Sequence, residues 1–218
     1  MIFLTMKESR NINTLPPQQL NTLPLMESFY TIQGEGAYQG HAAYFIRLGG
    51  CDVGCVWCDV KESWDEEAHP QTSIEKMVND AKASGTEIVV ITGGEPSRYD
   101  LTALTKALKA AGLRVHLETS GVYELQGEFD WVCFSPKKFK APDVDVLDKA
   151  HELKVVIYNK NDFSFAEIYA AQVPADCELY LQPEWSREKE MLPLIIDYVK
   201  KNPKWKISLQ IHKYMDVP

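Results

Sequence analysis

Short apolar runs of strand length alternate with longer amphipathic stretches along most of the chain. Such runs, rich in valine, isoleucine, leucine and aromatic residues, are typical of buried strands. They begin after about residue 27 and recur to the end of the chain. We predict strands at 42–48, 87–92, 113–118, 130–134, 153–158, 178–181 and 206–211.

Helical periodicity and end signals mark several stretches between these strands. Thr72 and Glu75 have the spacing of a capping box before the first helix, and Gly85 is placed to end it in a left-handed conformation. Asp100 is a good N-cap for the second helix, which Gly112 ends. The predicted helices are 74–84, 100–112, 163–171 and 188–201.

The alternation of strands and helices predicts parallel strands joined by helical crossovers. In one domain this means a doubly wound sheet or a complete or partial barrel, and the pattern alone leaves these alternatives open. Polar and glycine-rich segments directly follow several predicted strands, so they should share the carboxyl edge of the sheet, where such folds bind ligands. These segments are 93–96, 119–121, 135–137, 182–183 and 212–213.

The beginning of the chain differs from the rest. It contains several asparagine, proline and glutamine residues and no sustained apolar period. Residues 1–25 are therefore predicted to be a loose N-terminal extension, and residues 26–218 a single domain. We expect deletion of residues 1–24 to leave activity intact.

Composition and charge restrict the class of protein. The chain has 218 residues, 45% of them hydrophobic, with 23 lysine and arginine residues against 31 aspartate and glutamate residues and a formal net charge of −8. This acidic balance, with a pI of about 5.2, opposes binding to nucleic acid or to an anionic membrane surface. No apolar run has the length of a membrane span and no signal-peptide pattern opens the chain, so we expect a cytoplasmic protein.

Three of the five cysteines, Cys51, Cys55 and Cys58, lie close together in the sequence. A clustered triplet is unlike the dispersed cysteines of a secreted disulfide framework and indicates a metal site in a reducing compartment. Structural zinc normally takes four protein ligands, so a zinc site would need a distant fourth ligand such as His69 or Cys133. A four-iron cluster held by only three thiolates instead leaves one iron open to an exogenous ligand.

The spacing CxxxCxxC, with Trp57 directly before the third cysteine, resembles the radical S-adenosylmethionine (SAM) superfamily. The GGEP segment at 93–96 is similar to the superfamily segment that contacts SAM. From about residue 27 to the end, the order and spacing of further segments resemble the 7-carboxy-7-deazaguanine synthase family of 7-deazapurine (queuosine) biosynthesis. These segments are TIQGEG at 31–36, FIRL at 45–48, CDVKESW at 58–64, VITGGEP at 90–96, ETSG at 118–121, SPK at 135–137 and QIHKY at 210–214.

This resemblance implies an α/β fold, namely a partial (incomplete) β/α barrel with mostly parallel strands. It also implies a 4Fe–4S cluster on the three clustered cysteines, SAM bound at the open iron, and a magnesium ion near Asp59. Val60 stands where the family has a threonine that helps to hold this magnesium, and a valine side chain has no oxygen to offer. The implied cofactor-binding residues are Cys51, Cys55, Cys58, Trp57, Asp59, Gly94, Glu95, Ser120, Ser135, Pro136, Lys137 and Gln182.

The family converts 6-carboxy-5,6,7,8-tetrahydropterin to 7-carboxy-7-deazaguanine with loss of ammonia, and the resemblance implies the same lyase activity for this chain. Arg47 would bind the carboxylate of this small-molecule pterin substrate as a bidentate fork. Glu118 and His212 are the candidates for proton handling during ammonia loss. The implied substrate-binding residues are Ile32, Gln33, Gly34, Arg47, Thr92, His212 and Pro218.

Two other functions stay open at this point. A radical SAM activating enzyme that acts on a protein partner shares the cysteine spacing, and a non-catalytic zinc-stabilised module would use the same cysteines. The resemblance further implies a flavodoxin or ferredoxin as electron donor, because the cluster needs a low-potential one. It also implies a homodimer.

Overall fold

Residues 21–218, which the computed structural model describes, contain nine β-strands and six α-helices. The strands are β1 (Thr22–Ile32), β2 (Ala42–Leu48), β3 (Gln71–Ser73), β4 (Ile88–Gly93), β5 (Arg114–Thr119), β6 (Trp131–Phe134), β7 (Glu152–Ile157), β8 (Glu178–Pro183) and β9 (Trp205–Ile207). The helices are α1 (Ile74–Ala83), α2 (Thr102–Ala110), α3 (Val144–Lys149), α4 (Asp162–Ala170), α5 (Glu188–Lys201) and α6 (Ile211–Met215). Within these residues no helix is both long enough and apolar enough to cross a membrane.

The strands form a single open sheet in the order β3-β1-β2-β4-β5-β6-β7-β8-β9. β1 runs antiparallel to both of its neighbours, and every neighbouring pair from β2 to β9 is parallel. The parallel strands follow one another in chain order without a reversal, whereas a doubly wound sheet reverses its order at a switch point. The predicted partial β/α barrel with mostly parallel strands is therefore confirmed.

Alternating side chains give the parallel strands one apolar and one polar face. On β5, Leu117 packs in the main core with side chains of the helices, whereas Glu118 lines a cavity. On β7, Leu153 and Val155 belong to the core, and Lys154 between them lines the same cavity. Since successive side chains of a strand point to opposite faces, the concave interior of the barrel receives the polar residues.

Most predicted elements are present, with ends that shift by at most two residues. The predicted capping box before α1 is wrong in its first member. Ser73 is the N-cap, because its Oγ accepts a hydrogen bond from the Lys76 N–H at 3.3 Å, whereas the Thr72 hydroxyl donates to the Pro70 carbonyl oxygen. The pattern did not indicate β1, β3, α3 or α6.

The last predicted strand, 206–211, is also wrong in its second half. β9 ends at Ile207, and Ile211 begins α6. The N–H of Ile211 donates to the Gly34 carbonyl oxygen at 3.0 Å instead of joining the sheet. His212 therefore lies on a short helix, packed against the loop that follows β1.

The predicted boundary between a loose extension and the domain is wrong as well. β1 begins at Thr22, so residues 22–25 belong to the sheet, and Leu23 is buried. Residues 22–24 pair with β3, and the Pro24 carbonyl oxygen accepts a hydrogen bond from the Gly49 N–H at 2.8 Å. Gly49 begins the loop that carries the cysteines. Residues 1–20 of the predicted extension lie outside the described residues.

Deletion of residues 1–24, which the sequence analysis expects to leave activity intact, should lower stability. It removes the β1 side of the β1–β3 ladder and the buried Leu23 side chain, whose burial stabilises by about 1.5–3 kcal/mol. Deletion of residues 1–20 is the matched control. We expect a lower thermal midpoint for the longer deletion by circular dichroism, and equal midpoints would contradict a role for this ladder.

Candidate active site

A cavity of about 270 Å³ opens at the carboxyl ends of the parallel strands. It collects the residues that the sequence places in the site, with the exception of Pro136, which is buried and does not line it. The expectation for Pro136 as a contact residue is therefore not supported by its position. The predicted residues that line the cavity are Ile32, Gln33, Gly34, Arg47, Cys51, Cys55, Trp57, Cys58, Asp59, Thr92, Gly94, Glu95, Glu118, Ser120, Ser135, Lys137, Gln182, His212 and Pro218.

Several further side chains line the cavity that sequence reasoning missed. A charged residue inside an apolar strand is a signal that could have found Lys154, because such a residue is buried only with partners. Glu35 lies in the TIQGEG segment but was not singled out. The missed residues are Phe29, Glu35, Phe45, Val53, Trp64, Lys154, Val156, Glu184, Trp185 and Gln210, whereas Gly93, Thr119 and Pro183 lie in the segments predicted at the carboxyl edge and Val60 at the implied magnesium site.

The cysteine loop brings its three cysteines into one cluster. Cys51, Cys55 and Cys58 pack together with Val53 and other apolar side chains. Gly54 has a φ of 76°, a left-handed conformation that side chains rarely adopt, and this turn folds the loop back between the first and second cysteines. The backbone is fixed locally, since the Cys58 N–H donates to the Cys55 carbonyl oxygen at 3.1 Å.

The donor set fits a four-iron cluster better than zinc. In the described part of the chain, no three histidine, cysteine, aspartate or glutamate side chains surround a position for a single metal ion. His69 Nε2 is 2.9 Å from the Glu62 carbonyl oxygen, and Cys133 Sγ is 3.5 Å from Glu152 Oε1, so neither expected fourth ligand is directed to the loop. In a four-iron cluster each thiolate binds a different iron, so three thiolates need not meet at one point.

Burial favours the protonated form of the Cys51 and Cys55 thiols. It raises the pKa of Cys51, and it raises the pKa of Cys55 to about 11. Metal binding requires thiolates, so cluster assembly at this loop must release protons.

The GGE segment after β4 holds the beginning of the cysteine loop through its backbone. The Gly94 N–H donates to the Leu48 carbonyl oxygen at 2.8 Å, and the Glu95 N–H donates to the Gly50 carbonyl oxygen at 2.9 Å. Gly50 in turn donates to the Ser63 carbonyl oxygen at 2.7 Å. Three separate segments are therefore joined at the base of the loop.

The Glu95 side chain connects the ends of β4 and β5. It is buried, and its Oε1 accepts hydrogen bonds from the Ser97 N–H at 3.0 Å and the Ser97 hydroxyl at 2.7 Å, as well as from the Thr119 hydroxyl. Its Oε2 accepts from the Ser120 N–H at 2.8 Å and from the Ser120 hydroxyl. Glu95 thus fixes Ser120 at the cavity wall.

Two carboxylates and one ammonium form a charged cluster in the cavity wall. Lys154 Nζ lies 2.5 Å from Glu35 Oε2 and 3.1 Å from Glu118 Oε2. The other oxygens of these carboxylates are also occupied, since Gln33 Nε2 donates to Glu118 Oε1 and Gln210 Nε2 donates to Glu35 Oε1, both at 2.8 Å. This connected set orients Gln33 and Gln210 as well.

Arg47 lines the cavity and carries a buried donor without a partner among the described residues. Its Nη1 lies 3.2 Å from Glu27 Oε1, and its guanidinium lies over the Phe29 ring at 5.5 Å. Its buried Nε has no hydrogen-bond partner among the described residues. Thr92 is its register partner on β4, so both side chains face the same side of the sheet. A buried N–H without a partner is unusual and points to an anionic or carbonyl ligand.

The α6 segment covers the cavity next to the loop after β1. His212 lies directly over Gly34, where a Cβ atom would be 2.7 Å from His212 Cγ. Burial lowers the pKa of His212 below its usual value. Lys213 Nζ lies 2.9 Å from Asp59 Oδ2, which connects α6 to the residue after the third cysteine.

Lys137 follows β6, far along the chain from the cysteine loop, and lines the same cavity. Its Nζ donates to the Ser135 carbonyl oxygen at 2.8 Å and to the Ser135 hydroxyl at 2.6 Å, and it lies 5.7 Å above the Trp57 ring. Burial lowers the pKa of Lys137. These contacts bring the loop after β6 to the cysteine loop.

The chain is similar to named proteins over most of its length. Residues 45–138 match the family model of the radical SAM superfamily. A Flavobacterium psychrophilum protein named 7-carboxy-7-deazaguanine synthase is 58% identical, over 90% of this chain and 93% of the relative. A protein of the same name from Synechocystis sp. is 48% identical, over 89% and 93%. The crystal structure of QueE from Escherichia coli matches with a TM-score of 0.78 and 31% identity, covering 87% of this chain and 94% of that one.

Gly34→Ala should destabilise the protein by roughly 1–3 kcal/mol, because the added methyl group overlaps the His212 ring. The measurement is urea unfolding. The double variant Gly34→Ala/His212→Gly should recover most of the loss relative to His212→Gly alone, since glycine removes both the His212 ring and its Cβ, and both lie within 3 Å of the added methyl group. A double variant that stays as unstable as the sum of both changes would show that the His212 side chain is not the cause.

Proposed function

The chain belongs to the 7-carboxy-7-deazaguanine synthase family of the radical SAM superfamily, and from this premise we propose that its cavity converts 6-carboxy-5,6,7,8-tetrahydropterin to 7-carboxy-7-deazaguanine with loss of ammonia. One observation carries the proposal: a single cavity is lined by the three cysteines of the CxxxCxxC loop and by an arginine whose buried Nε–H has no partner among the described residues. Similarity to synthases along nearly the whole chain favours this pterin substrate over the protein substrate of an activating enzyme.

The cysteine loop would hold the 4Fe–4S cluster through the thiolates of Cys51, Cys55 and Cys58. When bound, the cluster and SAM supply the electron transfer and radical chemistry of the superfamily. The chain itself provides the binding surface, keeps water out and sets the distance between SAM and substrate. The residues proposed to contact SAM are Trp57, Asp59, Gly94, Glu95, Ser120, Ser135, Lys137 and Gln182.

Arg47 is the proposed partner of the substrate carboxylate. A guanidinium binds a carboxylate through two parallel N–H bonds, and the buried Nε–H of Arg47 has no partner among the described residues. The Phe29 and Phe45 rings beside it stack on each other, with their centroids 5.5 Å apart, and provide an apolar wall for a flat ring. Ile32, Gln33, Gly34, Thr92, His212 and Pro218 complete the proposed substrate contacts.

Loss of ammonia requires a proton on the departing nitrogen. We propose that His212 and Glu118 handle protons near the substrate. The lowered pKa of His212 leaves its imidazole neutral at pH 7, so it can accept a proton and return it. Glu118 is held by hydrogen bonds from Gln33 and Lys154, which fix the direction of its carboxylate.

The residues present do not fit the magnesium ion that the resemblance implies. Val60 lines the cavity and its side chain has no oxygen, whereas Mg²⁺ takes oxygen ligands. The adjacent carboxylate, Asp59, is already paired with the Lys213 ammonium, which repels a second cation. We therefore derive no step through magnesium and propose that this chain depends on it less than its family does.

The proposal includes a flavodoxin or ferredoxin as electron donor, a homodimer and a cytoplasmic location. Val56 is 67% exposed on the cysteine loop, and the neighbouring Trp57 contacts the exposed Phe139, which gives a donor protein an accessible apolar face. The exposed Tyr214 ring packs on Trp185 near the cavity mouth, an apolar surface that a second copy could cover. The five cysteines are unpaired, which suits a reducing compartment.

Anaerobically reconstituted wild-type protein should form 7-carboxy-7-deazaguanine from the carboxytetrahydropterin, SAM and a reductant, as followed by mass spectrometry. Cys55→Ala should lose both the brown cluster absorbance and turnover, because only two thiolates remain. Cys177→Ala is the matched control, since this buried cysteine lies outside the cavity, and it should keep both. If the wild type cleaved SAM to 5′-deoxyadenosine without forming product, the substrate proposal would fail while the superfamily chemistry would stand.

Removal of magnesium with EDTA should change wild-type turnover less than about twofold, because the chain lacks the oxygen donor at Val60. Val60→Thr supplies that hydroxyl, and we expect its turnover to become stimulated by added Mg²⁺. The same titration on both proteins is the measurement. A wild-type protein that is inactive without Mg²⁺ would refute this part of the proposal.

A further inference from the structure

Lys154 is a buried charge at a point where three distant parts of the chain meet. Its side chain is only 4% exposed, and it lies on β7 between two core residues. It contacts Glu35, from the loop after β1, and Glu118, on β5. All three line the cavity.

The contacts around Lys154 form a closed ring. From the ammonium, the ring passes through Glu118 to Gln33, whose Nε2 donates to Glu118 Oε1 at 2.8 Å. Gln33 Oε1 then accepts a hydrogen bond from the Glu35 N–H at 3.1 Å, and the Glu35 carboxylate returns to Lys154 at 2.5 Å. A ring in which each member has two partners fixes both carboxylates in direction.

The Glu35 carboxylate and the Lys154 ammonium keep each other charged although both are buried. Burial alone would raise the pKa of Glu35, but the Lys154 ammonium and the hydrogen bonds from Lys154 and Gln210 lower it to about 2. Burial likewise acts against the charge of Lys154, yet the acidic groups around it hold its pKa well above its usual value. An ammonium with a raised pKa is a poor proton donor at neutral pH, so Lys154 is not suited to general acid catalysis.

We propose that Lys154 is a positioning residue, which keeps the Glu35 and Glu118 carboxylates charged and directed as acceptors for the ring N–H groups of the pterin. This inference rests on the proposed function and deepens it. The aminopyrimidinone edge of a pterin carries adjacent N–H donors, and an ionised carboxylate accepts such hydrogen bonds more strongly than a neutral acid. Without the ammonium, two carboxylates would share one buried site, which favours protonation of one of them.

Other titratable groups face this ring and have to be considered in any pH dependence. Burial raises the pKa of Cys133 well above its usual value, so its thiol stays neutral, and burial raises the pKa of Glu152. Burial lowers the pKa of His212 and the charges of Glu35 and Glu118 oppose this, so the titration of His212 differs between the wild type and a Lys154 variant through these two carboxylates. The groups that face Lys154 and Glu35 are Glu118 on β5, Cys133 on β6, Lys137 after β6, Glu152 on β7 and His212 on α6.

The test is binding of 6-carboxypterin to the reconstituted, SAM-loaded protein, measured by fluorescence. This stable analogue keeps the aminopyrimidinone ring and the carboxylate of the substrate. We expect Lys154→Met to weaken binding at least about tenfold at neutral pH, as charge-assisted hydrogen bonds are lost. The ratio of the variant and wild-type dissociation constants should rise further as the pH falls, because Glu35, freed from the ammonium but still buried, takes up a proton.

Two further variants keep the result decisive. Lys206→Met removes an ion pair of the same type on β9, to Glu178 at 2.8 Å outside the cavity, and should bind like the wild type. Lys154→Met/Glu35→Gln leaves no uncompensated charge at position 35, so it should fold even if Lys154→Met does not. The double variant should bind 6-carboxypterin weakly. The ratio of its dissociation constant to that of the wild type should not change with pH.

The outcomes separate this inference from the proposed function. A wild-type protein that does not bind 6-carboxypterin would speak against the proposed function before any variant is compared. The inference is wrong if the wild type binds and Lys154→Met binds equally well. It is also wrong if Lys154→Met binds weakly but the ratio of the two dissociation constants does not depend on pH, because Lys154 then has only a packing role. Wild-type affinity in the double variant would overturn it as well.

Discussion

The attraction between one buried ammonium and two carboxylates holds the cavity together. Taking these charges out of water is unfavourable unless each is paired and hydrogen-bonded, and the Lys154 contacts with Glu35 and Glu118 meet that condition. Because Glu35 follows β1 and Glu118 lies on β5, the pair of contacts joins the antiparallel edge of the sheet to its parallel centre. The positions of Gln33 and Gln210 depend on the same carboxylates.

The loop after β1 also connects the two ends of the incomplete barrel. Its Gly36 N–H donates to the Ser208 hydroxyl at 2.9 Å, and that hydroxyl donates to Gln182 Oε1 at 2.7 Å. Its Gly34 carbonyl oxygen accepts the first N–H of α6. One short segment therefore reaches β8, the residue after β9 and the C-terminal helix, and it places His212 over the cavity. The sheet stays open, but this loop spans the gap at the level of the site.

The cysteine loop is positioned in a different way, through backbone hydrogen bonds. Gly94 and Glu95 donate to carbonyl oxygens of Leu48 and Gly50, so the segment after β4 lies directly against the start of the loop. Close approach of two backbones requires small residues, which explains the paired glycines better than a simple turn does. The Glu95 carboxylate then extends the same support to Ser120 on the next loop. The cluster site and the proposed SAM contacts thus share one rigid base.

The sequence by itself determined the parallel sheet, most helices and the residues of the carboxyl edge, because these depend on local periodicity and on the rule that parallel strands end together. It did not reveal β1, since a register shift between Leu25 and Glu27 breaks the alternation of buried and exposed residues. The run at 206–211 alternates like a strand, yet contacts with the loop after β1 end it and turn Ile211 into a helix start. Only the tertiary structure decided that Lys154 meets Glu35 and Glu118, because a buried charge needs partners that lie far away along the chain.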